Sequence, residues 1–257
     1  MPPVTVTIIT KNEADHIEAA IDSAAWADEI VVVDAYSTDD TVARARAKGA
    51  RVEIRQWPGW VDQKNFAAGM ASHDWIFSLD ADERLTPVLA GEIRQVLAGA
   101  MTMAAYRVPR VTFHLGQWIR TTDFYPDFQT RLYDRRVARW QGAFVHESVA
   151  ADGPVGTLTQ ELLHYSYRDL SDHLDRINRY TSLAARQMFE HGRRASALDL
   201  VVQAPAAFLR NYVLRRGFLD GTVGFMLSSV NAYAVFLKFA KLWQLGRGGL
   251  PKKDPAT

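Results

Sequence analysis

The 257-residue sequence contains no cysteine. Disulfides and thiolate metal sites are thereby excluded, and any bound metal must be held by oxygen or nitrogen. A reducing compartment is compatible with this composition. Long apolar runs are scarce. The stretch 222–237 carries 16 residues without a charge, but Ser228, Ser229 and Asn231 interrupt it, and a spanning helix needs about 20 apolar residues. The amino-terminal Met-Pro-Pro-Val-Thr-Val has neither a basic stretch nor a long apolar one, so a cleaved secretion signal is not expected. Internal repeats and low-complexity segments are lacking as well. With 48% hydrophobic and 23% charged residues, the chain has the composition of a folded globular protein.

Net charge is only +1, but it is unevenly spread. From Arg193 onward there are ten Lys and Arg against three acids, a net of +7, which leaves −6 on the first 192 residues. A basic, aromatic-rich tail on an acidic body implies an anionic partner, a membrane or a nucleic acid. The large uncharged faces around Phe225 and Phe236 favour lipid over nucleic acid.

The first hundred residues alternate strand and helix. Strands are expected at 4–10, 29–34, 52–56 and 75–80, and helices at 13–25, 39–49, 62–71 and 87–97. Ser37, Thr38 and Asp39 are read as a capping cluster, with Gly49 as a helix stop. This order implies a Rossmann-like, mostly parallel α/β sheet flanked by helices, with right-handed crossovers. Residues 104–167 change to short strands, aromatics and turns, and the chain from 171 on is mostly helical. A catalytic domain is therefore expected over 1–168 and a helical region over 169–257. In the latter, the 223–243 segment, with aromatics and Lys238 and Lys241 near its end, suits an interfacial helix.

Ligands of such sheets lie beyond the carboxyl ends of the strands. Three ends carry chemistry: Thr10 to Glu13, Asp34, and the pair Asp80 and Asp82. Two carboxylates one residue apart can grip Mg²⁺ or Mn²⁺, ions that clamp a diphosphate as it leaves. Asp34 can accept a hydrogen bond from a nucleobase or ribose. Lys64 either reaches a phosphate or is a solvated helix lysine. His146 is a third metal ligand or a packed imidazole, with Glu147 beside it. Asp127 is either a general base toward an acceptor hydroxyl, with Asp123 and Glu147 as rivals, or half of a structural ion pair. Arg131 either meets phosphate or forms that pair.

Three segments, Val6-Thr-Ile-Ile-Thr-Lys-Asn-Glu, Val32-Val-Asp-Ala-Tyr-Ser-Thr-Asp-Asp-Thr and Leu79-Asp-Ala-Asp-Glu, resemble glycosyltransferase family 2, inverting enzymes of the GT-A fold. Arg131-Leu-Tyr, Val145-His-Glu and Arg216-Gly-Phe-Leu-Asp-Gly are similar to a narrower branch that contains lipopolysaccharide core β-1,4-glucosyltransferases. The resemblance implies that Thr10, Glu13 and Asp34 hold uridine, that Lys64 lies near the base or diphosphate, and that Asp80 meets ribose or metal. It implies Mg²⁺ or Mn²⁺ on Asp82, with His146 completing the site. The implied partners are a UDP-sugar, UDP-glucose foremost, and a glycolipid acceptor. The implied location is the cytoplasmic face of the inner membrane, with peripheral contact to anionic lipid and no nucleic acid. Asp127 to Arg131 also looks like the Asp-Phe-Arg-Leu stretch of polyprenyl-phosphate glycosyltransferases, but Gln129 and Thr130 intervene. Such a transferase is one alternative, and a degenerate nucleotide-binding adaptor is another.

Overall fold

A computed structural model describes residues 1–99, 102–142 and 147–248. The chain divides into two compact units: residues 1–112 with 126–166, and residues 113–125 with 167 onward. The segment 113–125, expected to belong to the catalytic domain, therefore packs with the helical unit.

The first unit opens with β1 (Val4–Thr10), α1 (Ile17–Ser23), β2 (Glu29–Asp34), α2 (Thr41–Ala47), β3 (Arg51–Ile54), α3 (Trp60–Met70), β4 (Trp75–Asp80), β5 (Glu83–Leu85) and α4 (Pro87–Ala98). It continues with β6 (Ala105–His114), whose end passes into the second unit together with β7 (Gln117–Ile119). Then come β8 (Asp127–Asp134), β9 (Ala138–Gln141), β10 (Ser148–Ala151), β11 (Val155–Thr157) and β12 (Leu162–His164). The main sheet runs β3-β2-β1-β4-β8-β6-β12-β5. Its first four strands are mutually parallel, and β8 joins antiparallel to both β4 and β6.

Every residue of β1 is buried, as expected of a strand covered on both faces. Within it, Thr5 Oγ1 donates to Glu29 at 2.8 Å. Helix α4 starts where Thr86 Oγ1 accepts from the Leu89 N–H at 3.1 Å, with Pro87 in the first turn. It buries Leu89, Ala90, Ile93 and Leu97 on one face, against the core that also holds Val6, Ile8, Phe77 and Leu79.

Two expectations change. Residues 13–16 form a turn, not the first turn of α1, since the Glu13 carbonyl accepts from both His16 and Ile17. Of the capping cluster only Asp39 meets the helix start, its Oδ1 accepting from the Thr41 N–H at 3.0 Å, and all three residues also tie two loops together. Ser37 Oγ accepts from the Asn12 N–H at 2.7 Å, the Thr38 N–H donates to Asn12 Oδ1 at 2.8 Å, and Asp39 accepts from the Ala14 N–H at 3.2 Å. Asn12 and Tyr36 pay for this with left-handed backbones, φ 54° and 56°.

The second unit contains α5 (Leu170–Glu190), α6 (Ala197–Leu209) and α7 (Gly221–Gly246). Helix α5 is capped by Asp169 and α6 by a reciprocal Ser196–Asp199 box. Helix α6 runs into a π turn at Arg210–Leu214. The Arg216-Gly-Phe-Leu-Asp-Gly motif has a packing reason. A Cβ at Gly224 would lie 1.7 Å from the Gly217 carbonyl oxygen, and Gly221 sits at φ +60°. By length and composition alone, Gly217–Gly246 is apolar enough to cross a membrane. Yet α7 spends Phe239 and Leu242 on Ala185 of α5, and Lys241 Nζ donates to the Asn178 carbonyl, Thr181 and Ser182 at 2.6 to 2.9 Å.

A buried aromatic box lies in this unit. His114 Nε2 and His173 Nδ1 are 3.1 Å apart, with Tyr167 and Phe124 against both rings. Burial, then the neighbouring His114 and Arg176, push His173 down to about 4 from its ordinary 6.5, and Asp172 only partly offsets them. The unfolded chain therefore takes up a proton that the folded one refuses between those values. This contribution, on the order of 3 kcal/mol, is complete above pH 6.5 and is lost as pH falls toward 4. Urea unfolding of the wild type should show stability rising with pH over this window, and His173→Gln should flatten that slope.

Candidate active site

Strand register builds the site. Thr10 is paired with Asp34 across β1 and β2, and Ile9 with Asp80 across β1 and β4, so three of the expected residues share one edge of the parallel sheet. Across β6 and β8, Arg110 faces Asp127. Across β5 and β12, His164 faces Glu83.

Arg131 is the extra residue of a bulge in β8: Tyr106 pairs with Leu132 and Arg107 with Thr130, leaving Arg131 opposite neither. Bulges re-aim side chains beside functional sites. Here the guanidinium is only 2% exposed, and its Nη2 donates to both Asp80 and Glu83. Glu83 has no exposure. It also accepts from the Asp80 N–H and from Arg110 Nη1, each at 3.0 Å. Arg110 in turn donates from Nε and Nη2 to Asp127 Oδ2 at 2.9 and 2.6 Å. Lys64 Nζ lies 3.0 Å from Asp80 Oδ1 and 4.1 Å from the centre of the Trp140 ring. Asp80, Glu83 and Asp127 thus share three cations, Lys64, Arg110 and Arg131.

Burial alone would raise the Asp80 carboxyl, but Arg131 and then Lys64 hold it well below the carboxylate range. Burial likewise works against the Arg131 charge, and Asp80 and Glu83 more than offset it, so its proton is held above the ordinary guanidinium range. Asp82 is arranged differently. Its side chain is 26% exposed, against 25% for Asp80, and the difference lies in its partner: its Oδ2 is 3.4 Å from His164 Nε2. Burial and the Asp80 charge raise this carboxyl, but the hydrogen bond and charge of His164, helped by Arg110, outweigh them. The net direction is down, so Asp82 is a carboxylate at neutral pH.

The other expected residues fall as follows. Thr10 is buried, with an Oγ1 that has no hydrogen-bond partner among the described residues. The Glu13 N–H donates to Thr41 Oγ1 at 2.8 Å, which fixes the loop after β1. Asp34 is fully buried, and both its oxygens accept from Ser37. Asp127 has one oxygen held by Arg110 and the other by Gln129 Nε2 at 2.6 Å. The ion pair weighed for Asp127 and Arg131 therefore exists for each of them, but with different partners. Asp123 belongs to the second unit, where Arg210 and Arg215 hold it. Glu147 is next to Ser148, which opens β10, and its Oε2 is buried without a partner among the described residues. His146 lies outside the described residues.

Sequence reasoning missed His164, Arg110, Glu83 and Gln63. Gln63 precedes Lys64 on α3 and is fully buried, with neither amide atom partnered among the described residues. His164 sits on a three-residue strand that has no periodic signal of its own.

Among the described residues no group of three or more His, Asp or Glu is arranged to hold a metal ion. Asp82 and His164 nevertheless fit a divalent cation that takes its remaining ligands from a bound diphosphate, since such ions are often held by one or two protein groups plus substrate phosphates. A carboxylate with an imidazole suits Mn²⁺. Asp80 fits less well as a direct ligand, because Arg131 and Lys64 flank both its oxygens.

The carboxyl edge of the parallel strands thus bears an acidic pair, Asp80 and Asp82, on an α/β sheet. The family model Glycosyl transferase family 2 matches residues 5–151. A Rickettsia bellii (strain RML369-C) protein named as an uncharacterized glycosyltransferase is 34% identical over 255 residues, 94% of this chain and 86% of its own. The lipopolysaccharide core biosynthesis glycosyltransferase LpsC of Rhizobium meliloti (strain 1021) is 31% identical over 249 residues, 94% of this chain and 92% of its own. Glucosyl-3-phosphoglycerate synthase from Mycobacterium tuberculosis, solved with Mn²⁺, UDP and glucosyl-3-phosphoglycerate, is 26% identical over 45% of each chain, with a TM-score of 0.37. The chain belongs to glycosyl transferase family 2. It is a glycosyltransferase with a GT-A-like α/β fold, related to a lipopolysaccharide core glycosyltransferase.

Removing one partner of a buried charge network leaves the other unpaired, at about 3–5 kcal/mol. Glu83→Ala should lower the unfolding free energy by about that much in urea titration. Lys48→Ala, which breaks an exposed pair with Asp22, should leave the midpoint unchanged.

Proposed function

We propose that this glycosyltransferase moves a sugar, glucose foremost, from a UDP-sugar to a lipopolysaccharide core or a similar glycolipid, with inversion at the anomeric carbon. The observation that carries the reading is the ionised, part-exposed Asp82 with His164 Nε2 at 3.4 Å, at the carboxyl edge of the parallel strands. The relationship to LpsC supports the acceptor class, and the family supports inversion.

Thr10 and Glu13 are the residues proposed to meet the uridine, and Lys64 the diphosphate; Asp34, fully buried with both oxygens on Ser37, holds the adjoining loop instead of the ligand contact expected of it. The unpartnered Thr10 hydroxyl is consistent with a ligand that supplies its hydrogen bond. Asp82 and His164 would hold Mn²⁺ or Mg²⁺, which supplies charge stabilisation to the departing diphosphate. Arg131 and Glu83, both buried, act as the frame that fixes the Asp80–Asp82 turn, not as ligands of the donor. Preorganised charge of this kind lowers a barrier without reorganising during reaction.

Glu147 is the better base. The Asp127 carboxylate is occupied on both oxygens, whereas Glu147 has a buried oxygen with no partner among the described residues. In the proposed step the acceptor hydroxyl gives its proton to the Glu147 carboxylate. Its oxygen bonds to the anomeric carbon from the side opposite the diphosphate, the bond from that carbon to the diphosphate oxygen breaks, and UDP leaves with the electron pair.

The test is UDP release from a panel of sugar nucleotides, with and without core lipopolysaccharide, in Mn²⁺, Mg²⁺ or EDTA. One UDP-sugar should turn over in a cation-dependent way. Asp82→Asn and His164→Ala should each lower kcat/KM by about 100-fold or more. Glu147→Gln should lower kcat by about 10²- to 10⁴-fold with little change in donor KM. Full activity in EDTA, or in Asp82→Asn, would remove the assignment.

A further inference from the structure

The second unit contains a helix whose solvent side is the wrong way round for water. Beyond Ala197 at its start, the exposed positions of α6 fall at 198, 201, 202, 205, 206 and 209, the spacing of one helical face. They are Leu198, Val201, Val202, Pro205, Ala206 and Leu209. Leu198 and Val201 are each 70% exposed. The helix's two polar residues, Asp199 and Gln203, lie off this face and are only partly exposed. Beyond the π turn the apolar surface continues through Leu214, at 77% exposure, and Phe218 and Leu219. A contiguous apolar face of this kind marks an interaction surface on a soluble protein.

Charge identifies the occupant. From Leu200 to Leu219 the chain has no acid, but it has Arg210, Arg215 and Arg216 at the end of the stripe. Asp123 from this unit neutralises part of that charge, pairing with Arg210 and Arg215 at 2.7 and 3.0 Å, and the three together remain cationic. A second copy docked face to face would set these arginines against their own symmetry mates or near them. Nucleic acid would meet the arginines but leave the leucines and valines in water. An anionic bilayer satisfies both, because apolar side chains enter the acyl boundary while guanidinium groups stay at the phosphates.

We propose that α6 and the turn that follows it form the membrane-docking surface of this protein, lying in the plane of an anionic lipid interface. This moves the lipid contact from the 223–243 segment, which the sequence favours, to the helix before it. Helix α7 is engaged elsewhere: its Phe239, Leu242 and Lys241 are committed to α5. A helix lying in the interface also accommodates Pro205 without loss, since the carbonyl that it leaves unbonded can face headgroups and water. The proposal rests on the surface of the second unit and not on the identity of the sugar donor.

The experiment is flotation of the full-length protein with vesicles of phosphatidylcholine alone, or of phosphatidylcholine with phosphatidylglycerol, at low and high salt. The wild type should float with the anionic vesicles, bind neutral ones more weakly, and lose binding as salt rises. Val201→Glu with Leu209→Glu should weaken binding by more than about tenfold. Because both positions are exposed, the variant should keep the wild-type circular dichroism and UDP-sugar hydrolysis. Arg216→Glu should weaken binding to anionic vesicles alone. Three results would overturn the proposal: no flotation of the wild type with either vesicle, equal flotation of the wild type and the folded double variant, or a wild-type dimer that the double variant dissociates while vesicle binding stays unchanged.

Discussion

Four carboxylates at the end of a buried strand would repel one another, and the site depends on the cations set among them. Arg131 is the centre of that arrangement. A bulge in β8 turns its side chain toward Asp80 and Glu83, and Glu83 links it to Arg110 and so to Asp127. Burial penalises each of these charges singly, and only the mutual pairing makes them tolerable. Asp80, pinned by Arg131 and Lys64, anchors the turn that presents Asp82. Asp80, Asp82 and Asp127 are all part-exposed, and partners distinguish them: Asp82 is the acid that lies beside an imidazole, while Asp80 and Asp127 are held by Lys or Arg.

The parallel half of the sheet was legible because its strands are apolar runs that end in polar residues. The bounds read for β1, β2 and β4 coincide with those in the structure, and register alone then brings Thr10, Asp34 and Asp80 to one edge. What escaped the sequence lies in the antiparallel half, where strands are as short as three residues and side chains meet across large separations. His164 is 82 positions from Asp82, and Arg110 is 27 from Glu83, with nothing local to join them. Arg131 was visible as a functional arginine, but the bulge that buries it is not encoded in any local pattern. The Ser37 to Asp39 cluster has the composition of a helix start, and only the three-dimensional closeness of two loops recruits it to hold Asn12 and Ala14.

In the helical unit the sequence indicates apolar character but not which faces water. The segments 198–216 and 223–244 look alike in composition. Packing distinguishes them: α7 is pinned to α5 by a lysine in a ring of oxygens, while α6 leaves a full apolar stripe uncovered. Gly224 allows the start of α7 to pack directly against the backbone of the turn at Gly217. The motif that carries the branch resemblance thus has a packing role within this unit.

The central claim is that the β4 edge receives a nucleoside diphosphate together with a cation held by Asp82 and His164. Calorimetric titration of UDP into the full-length protein, in EDTA and then in Mn²⁺, tests this without any need to know the sugar or the acceptor. The account predicts UDP binding that is strong only with the cation. Equal UDP affinity in EDTA and in Mn²⁺, or no heat under either condition, would contradict it.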